Sequence, residues 1–395
     1  MNAPRQTEVW TTAANAAQLQ ALMKGQPLPP SAGRVLLCLS GEEASKLLGV
    51  PTLDTRDAIE LGASVLQARS GQELVILSDE EMYAHTRQAQ GWLDARGPVS
   101  PVFLAAAEAA LASGFVAMEA IVLGCMANSH ALHHGDPRDH KVSRPDFAQQ
   151  IRNLPHFSLP QPTTVSGFAP LSDADLGLYA VVDSAAWVKR VVTAGVRTVQ
   201  LRIKDSGHPE QSELIRHQVR QSIAAATAAG AQLFINDHWQ IAVEEGAYGV
   251  HLGQEDLHVA DLSAIKKAGL RLGISTHAYW EVCRAWALRP SYIACGPIHP
   301  TQAKAMPWIP QGNDNLAYWC KLLPTPVVGI AGMDALRTEQ AAQCGAAGVA
   351  VISAITAAAS PEAAVAQLQQ AIHDGRRLPR VEAPLLPKST LSPTV

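Results

Sequence analysis

No two cysteines in this chain stand in a C-x-x-C spacing, although six are present, at positions 38, 125, 283, 295, 320 and 344. Most lie in apolar stretches, so buried free thiols in a reducing compartment are expected. A basic excess is missing too. The net charge is −4, which excludes a general nucleic-acid binder, because no surplus cations exist to neutralise phosphates. The opening MNAPRQTEVWTTAANAAQLQ lacks a basic segment followed by an apolar run, so no secretory leader is expected. Long hydrophobic runs are also absent: GFVAMEAIVLGCMA contains Glu119, and AAGVAVISAITAAA is short and interrupted by Gly348 and Ser353. A soluble, cytoplasmic protein is the expectation.

What is present is ordinary globular material, 47% hydrophobic and 17% charged, over 395 residues, a length that favours two domains. The clearest boundary is HFSLPQPTTVSGFAPLSDADL, residues 156–176, whose Pro, Ser, Thr and Gly follow no sustained period. It divides a module over 1–155 from a repeating region over 177–375. Residues 376–395, punctuated by proline, read as a flexible tail.

The repeating region alternates short β-branched runs with Ala-rich amphipathic stretches. Strands are predicted at 178–182, 197–201, 232–235, 248–252, 271–275, 291–295, 326–329 and 347–351, and helices most clearly at 209–229, 277–287, 334–343 and 361–373. Eight strand–helix units in about two hundred residues predict a (β/α)8 TIM barrel, preceded by a smaller α/β module. No G-x-G-x-x-G follows the first strand, which argues against a doubly wound sheet. In a barrel the polar residues just after each strand converge on one site.

Those residues are suggestive. VQLRIKD ends the second strand, with Gln200, Arg202 and Lys204 alternating onto one side, as a polyanion site requires; a solvated edge is the plainer alternative. The third strand ends in Asn236 and Asp237, and the fourth in Gln254, Glu255 and Asp256. Two carboxylates on neighbouring strand ends, with cations nearby, suit Mg²⁺, which takes few protein ligands and shares substrate phosphates. Each could instead cap a helix, Asp237 that of 239–246 and Asp256 the next. GISTH offers Ser275 and Thr276 as donors and His277 as an acid, a base or a structural side chain. The long loop CGPIHPTQAKAMPWIPQG carries Thr301 and Lys304 at its tip, as a lid would. VVGIAGM and GVAVISAI place Gly329, Gly332 and Ser353 where backbone N–H groups form a phosphate cup.

In this order, VQLRIKD, FINDH, GVHLGQEDL, GISTH, GPIHPT-QAK, GIAGM and VISAI resemble the thiamine phosphate synthase family over roughly 178–357. The resemblance implies a Mg²⁺-dependent transferase that joins a hydroxymethylpyrimidine diphosphate to a thiazole phosphate and releases diphosphate, through a pyrimidine cation. Carried over by position, Gln200, Arg202, Lys204, Asn236, Ser275 and Lys304 bind the pyrimidine diphosphate, with Arg202, Lys204 and Lys304 as the catalytic cations. Asp237 and Asp256 hold the metal. Thr301, Gln302, Ala303, Gly332, Ile352 and Ser353 contact the thiazole phosphate. Three departures stand out. The usual Thr-x-Thr-Lys reads Thr301-Gln302-Ala303-Lys304, AMPW replaces a polar stretch, and Ala331 stands where a third glycine is usual. One lost hydroxyl costs about 0.5–1.5 kcal/mol, which weakens binding without abolishing it.

The module over 1–155 says less. RVLLCLS and ELVILSD read as strands, and PVFLAAAEAALASGFVAMEAIVLGCMANSHALHHG as two helices joined near Gly114. The pair faintly resembles the last helices of hydroxymethylpyrimidine phosphate kinases, of ribokinase-like fold. The phosphate-binding turn of those kinases is replaced by GPVS, Gly97 to Ser100, so a degenerate remnant or an unrelated module is expected. His130, His133, His134, Asp136 and His140 cluster without regular ligand spacing and read as a polar loop rather than a metal site. Two other functions compete with the synthase. One is a thiazole tautomerase-like isomerase with His277 as proton carrier, and the other is a non-catalytic sensor of thiazole or thiamine phosphate. Small-molecule substrates and no membrane partner are expected, and a homo-oligomer is left open.

Overall fold

Eight β-branched runs that cannot cover both of their faces alone do so by closing on one another. In the computed structural model the strands β6 (Gly177–Val182), β7 (Thr198–Leu201), β8 (Gln232–Asn236), β9 (Gly249–Leu252), β10 (Arg271–Thr276), β11 (Tyr292–Cys295), β12 (Val327–Ile330) and β13 (Gly348–Val351) pair in parallel, β13 returning to β6. The result is a closed TIM barrel ringed by helices, among them Pro209–Ala229, Tyr279–Leu288, Ala335–Gln343 and Pro361–Arg377. The structure describes residues 11–13, 24, 35–78, 81–94, 97–134, 145–159, 163–204, 209–301 and 307–392. The chain divides into two units, Met1–Pro160 with Leu391–Val395, and Gln161–Thr390.

Inside the barrel, alternate residues of the strands make one core: Tyr179, Val181, Phe234, Tyr292, Ala294, Val328 and Ala350. Three of these are aromatic. The Phe234 and Tyr292 rings meet edge to face at 5.0 Å, and Tyr179 and Tyr292 at 5.8 Å. Room for Tyr292 comes from Gly273 on the neighbouring strand, where a Cβ would lie 2.1 Å from the tyrosine ring.

Two sequence expectations need correction here. The stretch 156–176 is not a free spacer. Phe157 bridges to Leu93 within the first unit. From Gly167 onward the chain runs across the barrel's lower end, where Gly167 N–H donates to the Leu288 carbonyl, Ser291 donates to that of Ala169, and Leu171 and Leu176 join the core. A backbone so paired satisfies its own polar groups while sealing apolar side chains from water. Nor is 376–395 a loose tail throughout. The last helix continues to Arg377, and the Lys388 carbonyl accepts from Tyr279 Oη at 2.6 Å and Asn315 Nδ2 at 2.9 Å.

The first unit holds a five-stranded sheet in the order β1 (Thr11–Ala13), β2 (Val35–Ser40), β3 (Glu73–Leu77), β4 (Glu81–His85), β5 (Gln90–Asp94). The first three are parallel and the last two antiparallel. Helices Gly41–Leu48 and Arg56–Ser70 contribute Ala44, Ile59, Ala63 and Leu66 to a core with Leu37, Leu39, Ile76, Tyr83 and Trp92. A capping box starts the first of them, Ser40 Oγ accepting from Glu43 N–H while the Glu43 carboxylate accepts from Ser40 N–H. The paired helices Pro101–Ala112 and Ala117–His134 turn at Gly114, φ 89°. His130, His133 and His134 lie on the second of these, and Asp136 and His140 fall outside the described residues. No cluster of three metal-type ligands occurs among the described residues.

Candidate active site

At the C-terminal end of the barrel a cavity of about 490 Å³ opens among the strand ends. Gln200, Arg202, Asn236, Asp237, Asp256 and Ser275 line one part of it, and Thr301, Ile330, Ala331, Gly332, Ile352 and Ser353 another. Most of the residues expected from the sequence therefore meet in one space. Lys204 does not line it. β7 ends at Leu201, so strand alternation no longer governs the chain three residues later, and Lys204 is exposed. Gln302, Ala303 and Lys304 lie outside the described residues.

The carboxylate Asp237 is perturbed in both backbone and charge. Asp237 sits at φ 62°, a left-handed conformation rare for a residue with a side chain, with its N–H donating to the His251 carbonyl at 3.1 Å. Burial, and then the nearby Asp256 carboxylate, push its pKa from 3.8 up to about 6, against the opposing pull of Arg202. Asp256 Oδ2 accepts from Gly253 N–H at 3.0 Å. Neither side chain caps a helix in the manner that competed with the ligand expectation. Helix Trp239–Glu244 has His238 at its start with no side-chain cap, and the short turn at Asp256–His258 has none either. Two neighbouring carboxylates that repel one another, Asp237 exposed to the cavity and Asp256 half-buried, suit a small divalent cation that completes its shell with water and phosphate oxygens. They do not form an all-protein cage.

The opposite wall is built around β12 and β13. Gly332 adopts φ 67°, and a Cβ there would lie 2.6 Å from the Pro300 carbonyl oxygen. Ala331 adopts φ 84° without being glycine. Ile298 and His299 N–H groups donate to the carbonyls of Ile330 and Ala331, which ties the start of the lid to the end of β12.

His251 had no place in the sequence expectations, and Gln254, His277 and Trp308 were named there without their partners. His251 donates or accepts at both ring nitrogens, with Tyr292 Oη at 2.7 Å and Ser275 Oγ at 2.8 Å, and burial lowers its pKa to about 3. Its signal was available: in GVHL it is the inward residue of a strand whose end carries Asp256. Gln254 donates to the Ser275 carbonyl at 2.8 Å and accepts from the buried Arg284. Trp308 stacks on His277, centroids 5.4 Å apart and planes 8° apart. His277 in turn donates through its backbone N–H and Nδ1 to the buried Glu281 carboxylate, at 2.6 and 2.9 Å. Its ring is thus fixed on one edge and covered on one face.

A closed parallel barrel that gathers acidic and cationic strand ends opposite a glycine-bearing backbone wall is the frame of an enzyme acting on phosphorylated small molecules. The comparisons agree. Residues 178–355 match the family described as Thiamine monophosphate synthase (TMP-TENI). A thiamine-phosphate synthase of Serratia proteamaculans is 52% identical over 208 residues, covering 51% of this chain and 94% of the relative. One of Yersinia pestis is 50% identical over 214 residues, covering 53% of this chain and 95% of the relative. A solved structure titled thiamine phosphate pyrophosphorylase, from Pyrococcus furiosus, aligns over 51% of this chain and 98% of its own with a TM-score of 0.46 and 24% identity. This chain belongs to the thiamine-phosphate synthase family and is a transferase. No helix among the described residues is long and apolar enough to cross a membrane.

Proposed function

We propose that the barrel condenses 4-amino-2-methyl-5-(diphosphooxymethyl)pyrimidine with thiazole phosphate to give thiamine phosphate and diphosphate. One observation carries the assignment of the two substrates. The cavity has two unlike walls, one lined by Arg202 with Asp237 and Asp256, and the other by Gly332, Ile352 and Ser353. The diphosphate belongs to the first wall, and the thiazole phosphate to the second.

Asp237 and Asp256 fit Mg²⁺ by their donor chemistry, since each is hard, oxygen-bearing and uncompensated by the other. Bound there, the ion would neutralise diphosphate oxygens as the leaving group departs. Arg202 adds a planar, permanently charged fork to the same oxygens. The CH₂–O bond beside an electron-rich aminopyrimidine breaks to a resonance-stabilised cation. The chain's own task is then to hold the thiazole nitrogen in line and to keep the departing charge stabilised. Lys304 is the further cation of this reading, and Lys204, which does not line the cavity, has no part in it. No side-chain nucleophile is required.

An isomerase would leave the charged wall of Arg202, Asp237 and Asp256 without a task, which favours the synthase. Six free thiols, four of them buried, support a cytoplasmic setting. The decisive experiment mixes the full-length protein with both substrates and Mg²⁺ and looks for thiamine phosphate by mass, beside a sample containing EDTA. Product that disappears with EDTA is expected. Absence of product in the Mg²⁺ sample, with thiazole phosphate still bound, overturns the assignment in favour of an isomerase or a sensor.

A further inference from the structure

Beneath the cavity floor a line of polar side chains crosses the barrel interior, where apolar packing would be expected. Gln200 Nε2 donates to Tyr179 Oη at 3.2 Å. Tyr179 Oη meets Tyr292 Oη at 2.6 Å, Tyr292 Oη meets His251 Nδ1 at 2.7 Å, and His251 Nε2 meets Ser275 Oγ at 2.8 Å. The five residues come from β7, β6, β11, β9 and β10, so the line ties five strands together. Both of its ends, Gln200 and Ser275, face the cavity, as does His251, while the tyrosines are sealed below. We infer that Tyr179, Tyr292 and His251 are positioning residues that set the direction of this chain, so that Ser275 offers its hydroxyl proton to the substrate. The inference rests on the proposed function and deepens it, because it names the residues that tune recognition of the pyrimidine diphosphate.

Direction follows from counting protons. With Gln200 donating, Tyr179 accepts and passes its own proton to Tyr292. Tyr292 passes its proton to His251 Nδ1. A neutral imidazole that accepts at Nδ1 carries its hydrogen on Nε2, and that hydrogen goes to Ser275 Oγ. The Ser275 proton is then directed into the cavity. In the reverse direction, with the Gln200 amide as placed, Tyr179 would accept from both Gln200 and Tyr292. Its own proton would then be buried with no acceptor among the described contacts, at substantial cost. The fold also reserves space for the chain: Gly273 gives up a side chain so that the Tyr292 ring can lie against β10.

The outcome for a ligand is selectivity by hydrogen-bond sense. A site that presents a preset donor favours an acceptor such as a ring nitrogen or phosphate oxygen, and disfavours a group that could only donate. The thiazole phosphate, held at the other wall, is outside its reach.

Two measurements test this on the full-length protein. Long-range ¹H–¹⁵N correlation of ¹⁵N-histidine-labelled enzyme at neutral pH, with the His251 signals assigned by their loss in His251→Asn, reads the tautomer without any substrate. An unprotonated Nδ1 and a protonated Nε2 are expected, and the opposite tautomer overturns the direction. Steady-state kinetics then compare Tyr292→Phe, Ser275→Ala and the double variant. Tyr292→Phe should raise KM for the pyrimidine diphosphate by roughly tenfold, the value of about one hydrogen bond, with KM for the thiazole phosphate unchanged. In the Ser275→Ala background the same substitution should cost nothing further. Additive losses, or equal shifts for both substrates, would show that Tyr292 only supports the core. If the wild-type enzyme makes no thiamine phosphate, the proposed function fails while the tautomer still decides the chain's direction.

Discussion

We propose that the two walls of the cavity bind anions by opposite means. Around β7 to β9 the work is done by side chains, Arg202, Asp237 and Asp256, whose charges are strained against each other. Around β12 and β13 it is done by the main chain, at Gly332, Ile352 and Ser353, shaped by left-handed turns at Ala331 and Gly332. The difference teaches where each wall is vulnerable. A side-chain wall loses function when a charge is removed. A backbone wall loses it when a side chain is added.

The largest expected effect tests the first half of that contrast. Asp237→Ala should lower turnover by about two to three orders of magnitude, as loss of a group that stabilises departing charge does. Single-turnover measurement at saturating substrates and Mg²⁺ checks it, and a near-wild-type rate would remove Asp237 from the site. Arg202→Ala should come next, weakening the pyrimidine diphosphate by roughly 10- to 100-fold, the range for a hydrogen bond to a charged group. The thiazole phosphate should be little affected. Initial rates with each substrate varied in turn decide this, and matching shifts would dissolve the two-wall assignment.

The second half of the contrast is tested at Gly332. A methyl group there would collide with the Pro300 carbonyl at 2.6 Å while the backbone is held at φ 67°. Gly332→Ala should raise KM for the thiazole phosphate by about tenfold, with the pyrimidine diphosphate spared. The reverse pattern would place the phosphate cup elsewhere.

The same contrast explains what the sequence disclosed. A side-chain wall is written in residue types, and Arg202, Asp237 and Asp256 could be picked out because charges at strand ends are conspicuous. The barrel was equally legible, since each strand buries both faces and reads as an apolar run of four to six residues. The backbone wall showed less directly, as Gly329, Gly332 and Ser353 at the ends of the last two strands and a loop of unusual length. The chain from Gln200 to Ser275 did not show at all. Tyr179 and Tyr292 look like core residues, and nothing local says that hydroxyls 113 positions apart will meet at 2.6 Å. In the first unit, EMYAH and QGWLD escaped notice as β4 and β5 because each is short and carries polar ends.

A smaller effect concerns stability rather than rate. The Asp237 pKa rises from 3.8 to about 6 on folding, so the folded protein holds a proton that the unfolded chain has released between those values. Without divalent metal, the Asp237 contribution to stability should therefore be greatest at and below about pH 4, be lost as pH rises to about 6, and stay level above that. Asp237→Asn carries no such penalty. In EDTA its advantage in melting temperature over the wild type should be greatest at about pH 8 and shrink toward zero as the pH falls below about 4, by differential scanning calorimetry. A gap that does not change with pH would mean that Asp237 is not the group titrating.

The smallest effect sharpens the backbone side. Ala331 holds φ 84°, where an L side chain meets its own carbonyl and glycine does not. Ala331→Gly relieves that strain but frees the unfolded chain, so the net gain is modest, about 1 kcal/mol, or roughly 2–4 °C in Tm for a domain of this size. Thermal melting and the thiazole phosphate KM should be read together. A higher Tm with unchanged KM would make Ala331 a strained stand-in for glycine, with the cup's shape set by Gly332. A higher Tm with weaker binding would mean that the methyl group at Ala331 shapes the cup, so that this wall too depends on a side chain. An unchanged Tm would show that the turn is held without strain by the His299 N–H donated to the Ala331 carbonyl.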